Sequence, residues 1–191
     1  MTVKEISVNI MCLEYRQDRE DTDYGSCLWA RFYFNLDSYE LMITSDCGNY
    51  SYGWVATPEH ESFLELMARI NKDYLLHKLC GNPEIFDYEA TKAHFYHYAD
   101  EEEDKKKLDE IFEEIECKYI PDCGEAFIEL FEQENDGWWA DAWEYPVYVY
   151  SASQKKIAQV FHESIQPEIR RLVKVSRGFS QALVKVESEE I

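Results

Sequence analysis

Residues 27–55, CLWARFYFNLDSYELMITSDCGNYSYGWV, decide the fold class. Three runs, residues 27–36, 39–44 and 50–55, are rich in aromatic and branched side chains that suit a pleated, half-buried surface. Asn35-Leu36-Asp37-Ser38 and Asp46-Cys47-Gly48-Asn49 separate them with turn chemistry. Short strands joined this tightly pair antiparallel. Upstream, residues 3–13 alternate approximately through Val3, Ile6, Val8 and Ile10, which predicts a further strand. Residues 14–25 are polar and end in Asp23-Tyr24-Gly25, a loop signal.

Downstream the apolar period lengthens from strand to helix spacing. Thr57 and Pro58 offer an N-cap and a first helical residue, and Phe63, Leu64, Met67 and Ile70 follow as one face. Asp73 caps a second short helix through Tyr74, Leu75 and Leu79, stopped by Gly81-Asn82-Pro83. Residues 87–98 predict a third helix. Leu108, Ile111, Phe112 and Ile115 form an apolar stripe with acids on the opposite face. After Pro121-Asp122, Phe127, Ile128, Leu130 and Phe131 form another, closed by Asn135-Asp136-Gly137.

Residues 138–143 read as a loop or short helix and residues 147–150 as a short strand. Ser153 starts a last helix reaching about residue 175, with Ile157, Val160, Phe161 and Ile165 inward and Pro167 interrupting it. The expected class is α+β: an N-terminal antiparallel β-meander packed against several helices, one further short strand and a C-terminal helix. Residues 1–175 are expected to form a single domain and residues 176–191 a loose tail.

A hydrophobic content of 46% excludes a disordered chain. No apolar run approaches the ~20 residues of a membrane span. The first residues show no basic stretch followed by an apolar one, so no secretory signal is read. The expected compartment is the cytoplasm, where Cys12, Cys27, Cys47, Cys80, Cys117 and Cys123 would stay reduced. Most of these thiols read as small core residues.

Motifs for catalysis are scarce. There is no G-x-x-x-x-G-K, no G-x-G-x-x-G and no G-x-S-x-G. His94-x-x-His97 with Asp100 could share a helix face, but Phe95, Tyr96 and Tyr98 fit a packed aromatic helix equally well. Cys117-x5-Cys123 matches no common zinc spacing. Asp46 and Glu59 flank the Tyr50, Tyr52, Trp54 strand, where structural roles explain them more simply than a pocket. No metal, cofactor or catalytic residue is assigned, and the chain is read as a non-enzyme.

Charge is the informative signal. The net charge is −20, from 39 acids against 19 bases. Residues 100–136 hold sixteen of the acids and four lysines, a local net of −12. Residues 146–191 are slightly basic, with Arg170, Arg171, Lys174 and Arg177 clustered. Like charges at helical spacing repel by ~0.2–0.5 kcal/mol per pair, a cost borne on folding. An ordinary solvated face is one explanation. The other is a partner: carboxylates recurring every ~5.4 Å on two helices resemble a row of phosphates. The candidate partner-binding residues are therefore Asp109, Glu110, Glu113, Glu114, Glu116, Glu125, Glu129 and Glu132, with Trp138 and Trp139 as aromatic anchors. The third tryptophan of that segment, Trp143, shares its acidic company. Such a surface repels nucleic acid and anionic membrane and suits a basic nucleic-acid-binding protein.

The run Ser45-Asp46-Cys47-Gly48-Asn49-Tyr50-Ser51-Tyr52-Gly53-Trp54 resembles a strand–turn–strand segment of an uncharacterised family of small bacteriophage and prophage proteins. Ser62-Phe63-Leu64 and residues 74–79, YLLHKL, continue the likeness, which covers about residues 41–79 with a weaker echo at 161–167. The resemblance implies a host-takeover or counter-defence role, and transfers no functional residue. By charge and context the acidic helices are also similar to those of anti-CRISPR proteins, which block RNA-guided DNA nucleases. The leading expectation is a phage inhibitor of a CRISPR effector nuclease. The alternatives are a small metal- or nucleotide-binding enzyme or ligand sponge near His94 and His97, and an assembly protein joined through its tryptophans.

Overall fold

Alternation along β2 (Trp29–Asn35) organises the sheet: Ala30, Phe32 and Phe34 are buried, while Arg31 faces water. In this computed structural model, which describes residues 7–56, 59 and 61–189 and side chains as far as Arg177, β1 (Ile10–Arg16), β2, β3 (Glu40–Ser45) and β4 (Gly48–Gly53) form an antiparallel sheet in chain order. The meander is as the sequence predicts. Strand β1 differs in extent and phase. It begins at Ile10 and continues through residues 14–16, which read as loop from their polarity. Those charges sit on the outer face, where Glu14 pairs with Arg16 and, across the strands, with Arg31. Met11, Leu13 and Tyr15 pack on the core, and Val8 and Ile10 are exposed. A one-residue change of phase exchanges the two faces of a strand. Val3 and Ile6 lie outside the described residues.

The contacts divide the chain into two compact units, Met1–Gly81 with Ala152–Ile191, and Asn82–Ser151. Each has its own apolar core. The first unit covers its sheet with helices. Helix α1 (Phe63–Arg69) starts at a capping box in which the Ser62 hydroxyl accepts from the Glu65 amide and the Glu65 carboxylate accepts from the Ser62 amide. The expected cap at Thr57 and Pro58 lies outside the described residues. Helix α2 (Lys72–Cys80) is capped by Asn71 rather than Asp73, and Gly81 ends it at φ 73°.

Helix α6 (Ala152–Val160) passes through a π-helical turn, Phe161–Ile165, into α7 (Gln166–Glu189). This turn lies where the sequence places an interruption. Pro167 has no N–H to give to the preceding turn, and the wider turn before it, in which the Gln166 amide donates to the Phe161 carbonyl, relieves that mismatch. Phe161 packs 6.0 Å from Phe32. Gln166 is fully buried and donates to the Met67 and Ile70 carbonyls at 3.0 and 2.7 Å. Its own oxygen accepts from Arg170, whose Nε donates to the Ala68 carbonyl. One side chain thus donates to two of the carbonyls left over at the end of α1. Gln166→Leu strips those carbonyls of donors and is expected to cost about 2–4 kcal/mol, read as a fall in the urea midpoint at unchanged slope.

The second unit is helical, with a two-stranded ribbon of β5 (Ile85–Phe86) and β6 (Tyr148–Val149). Helix α3 (Tyr88–Tyr98) is N-capped by Asp87, and α4 (Glu102–Lys118) and α5 (Gly124–Asn135) follow. Leu108, Ile111, Phe112 and Ile115 meet Phe95, Phe127, Leu130 and Phe131 in its core. Asp136 and Gly137 take the left-handed region, ending α5 at the predicted stop. Among the described residues no helix is long and apolar enough to cross a membrane.

Candidate functional site

The apolar stripes of α4 and α5 turn inward, and that alone drives their carboxylates outward. All eight acids singled out from the sequence, Asp109, Glu110, Glu113, Glu114, Glu116, Glu125, Glu129 and Glu132, are exposed. The structure divides them into two sets. Asp109 accepts a 2.6 Å hydrogen bond from the Tyr96 hydroxyl. Glu116 accepts from Lys92 at 2.6 Å and from Tyr88 at 3.2 Å. The lysine contact holds the Glu116 carboxyl below its ordinary range. Burial, reinforced by the neighbouring carboxylates, pushes both tyrosine hydroxyls up. These two acids brace α4 against α3.

The other six point elsewhere. Glu110, Glu113 and Glu114 line a shallow groove of about 390 Å³ with Ile111 and with Glu134 of α5. Glu134 is neutralised by Lys118, whose charge is also felt by Glu114. Glu125, Glu129 and Glu132 fall at i, i+4 and i+7 along α5 and share one helix face. No side chain of Glu110, Glu113, Glu125, Glu129 or Glu132 carries a hydrogen bond or ion pair to another described residue. Their charge is left for water or for a partner.

The tryptophans separate similarly. Trp139 packs on Phe95 and Tyr145, and Asn135 clamps its backbone in both directions, accepting at 2.7 Å and donating at 2.8 Å. Trp138 lies edge-on to Trp139 under the Lys107 ammonium, 5.0 Å from the ring centre. Both are half-buried and serve the core's rim. Trp143 is the tryptophan of this segment that stays in water, 64% exposed. Tryptophan spacing in the sequence carries no signal that would single it out.

The histidine pair is aromatic packing. His94 Nδ1 lies 3.0 Å from the Tyr145 carbonyl, and its ring meets Tyr98 and Tyr145. His97 abuts Tyr98. Asp100 lies beyond the end of α3. The group of described residues whose ligand atoms do converge is Cys27, Asp46 and Cys47.

In the first unit, grooves along α1 and α7 are lined by Arg69, Arg170, Lys174 and Arg177 together with Glu61 and Glu65. Arg69 pairs with Glu61, and Arg177 with Glu65, so two of these four bases are neutralised from within. The Ser62 amide, then Arg177, hold the Glu65 carboxyl down to about 2. A carboxyl depressed in the folded state stabilises fully above its ordinary value and loses that contribution as pH falls through the folded one. Thermal melts between about pH 4.5 and about pH 2 are therefore expected to show an acid-dependent loss that Glu65→Gln removes.

The model of a phage protein family, Phage_phiTE_072, matches residues 1–171 of the chain. Comparison with curated proteins and with solved structures returns no match.

Proposed function

The chain belongs to the phage family Phage_phiTE_072, and from that membership we propose that it is a non-enzymatic inhibitor of a host nucleic-acid-binding defence protein. The target is a CRISPR effector nuclease, an RNA-guided enzyme that holds its heteroduplex in a positively charged channel. The carboxylates of α4 and α5 compete for that channel as a surrogate for the phosphate backbone, and the exposed Trp143 supplies an aromatic contact. The observation that carries this reading is the set of exposed acids on α4 and α5, Glu110, Glu113, Glu125, Glu129 and Glu132, that make no ion pair to another described residue. Self-repulsion of that density disfavours folding, and a cationic groove would relieve it.

The test is cleavage of a labelled DNA duplex by a purified guide-loaded nuclease with the protein added in increasing amounts. The expected result is loss of DNA binding as well as cleavage, with inhibition weakening as salt rises. Cleavage that proceeds unchanged at low salt across nucleases of this class would contradict the reading.

A further inference from the structure

Five residues of the hairpin tip between β3 and β4 have a structural occupation. Asp46 accepts from the Leu28 and Trp29 amides at 2.9 and 3.3 Å, tying the tip to the start of β2. The Ser45 hydroxyl donates to the Gly48 carbonyl. Asn49 accepts from the Ser45 amide. Gly48 adopts φ 119°, and a Cβ there would meet the Tyr50 hydroxyl at 2.6 Å. That hydroxyl donates to the Cys47 carbonyl at 2.8 Å. The Cys47 side chain makes one contact within the turn, its Sγ lying 3.5 Å from the Ser45 hydroxyl. The same Sγ lies 2.8 Å from Cys27 Sγ, twenty residues away in sequence. Cys27 is 0% exposed and Cys47 8%.

We propose that Cys27 and Cys47 are a dithiol redox site that takes a small-molecule disulfide as oxidant and closes to an intramolecular disulfide. The two sulfurs already face each other beyond the Ala30–Ser45 end of the β2–β3 ladder. Closure needs a local approach of the sulfurs, with the hairpin's backbone bonds kept. Cys47, on the solvent side of the pair, attacks first. Its thiolate displaces one thiolate from the oxidant, forming a mixed disulfide, and the released thiolate takes up a proton. Cys27 then loses its proton and attacks the Cys47 sulfur, expelling the second small thiol. Two protein thiols become one disulfide, and one small disulfide becomes two thiols. The order of attack agrees with the electrostatics. The hydrogen bond between the two sulfurs holds the Cys47 thiol below the usual thiol range, while that same bond and burial push Cys27 up. Cys12, Cys117 and Cys123 are exposed without such a neighbour and serve as internal controls.

The experiment is incubation of the whole purified protein with oxidised glutathione, followed by alkylation and peptide mass mapping. The expected product is a Cys27–Cys47 crosslinked peptide lacking two hydrogens, with glutathione adducts confined to exposed cysteines. Closing a loop of this length is expected to raise the melting temperature by about 5–10 °C, reversed by dithiothreitol. Cys47→Ser should abolish both the crosslink and the rise, and Cys27→Ala provides the same reading should the first variant fold poorly. Recovery of both cysteines as free thiols, or of separate glutathione adducts on each, would overturn the proposal. So would protection of both thiols by stoichiometric zinc, since that would make the cluster with Asp46 a metal site.

Discussion

Phe95→Ala is expected to destabilise the Asn82–Ser151 unit by about 3–5 kcal/mol, the largest stability loss from any single truncation in that unit. Phe95 is fully buried, and its ring meets Phe112, Phe127, Phe131, Trp139 and Tyr145 at centroid distances of 4.5–5.9 Å. Those neighbours come from α4, α5 and the segment after α5, so they are anchored independently and cannot all collapse into the void. Aromatic pairs also add to the transfer energy of the lost ring. The effect should appear as early loss of near-ultraviolet circular dichroism in urea. Phe95→Leu should recover part of it. A change of less than about 1 kcal/mol would mean that this aromatic cluster is not the core of the unit.

The second large effect concerns charge. Glu110→Lys, Glu113→Lys and Glu114→Lys together are expected to weaken nuclease binding by at least ~100-fold at low salt, since several like-charge contacts against a cationic channel cost several kcal/mol. The three side chains are exposed and make no hydrogen bond to another described residue, so circular dichroism and the melting temperature should change little. A matched reversal at Asp109 and Glu116 would not separate the two roles, because both brace α3 through Tyr96, Tyr88 and Lys92. Unchanged inhibition by the triple variant would refute the electrostatic model, whereas an unfolded triple variant is replaced by the milder Glu110→Gln, Glu113→Gln, Glu114→Gln set.

The acidic face was legible in the sequence because amphipathic helices announce both their faces at once. Leu108, Ile111, Phe112 and Ile115 fix which side of α4 is buried, and the acids follow. The division of those acids was not legible. Whether Asp109 is bonded or free depends on Tyr96, thirteen residues away on another helix. The meander was equally readable, since its turn residues and aromatic runs alternate locally. The extent and phase of β1 were not, because its outward charges at residues 14–16 are compensated within the sheet, Glu14 by Arg31, and polarity alone resembles a loop. The ribbon strand β5 comprises two residues and has no periodicity to read. The Cys27–Cys47 approach is likewise a product of register, invisible until Ala30 and Ser45 are placed opposite each other.

The most direct test of the charge-driven inhibitor is the affinity of the protein for a purified guide-loaded nuclease, measured by titration calorimetry between ~50 and ~200 mM salt, with DNA duplex as competitor. The account predicts binding that falls steeply and log-linearly with salt, is excluded by the duplex, and loses most of its salt slope in the triple-lysine variant. Binding that is insensitive to salt and indifferent to the duplex would contradict it.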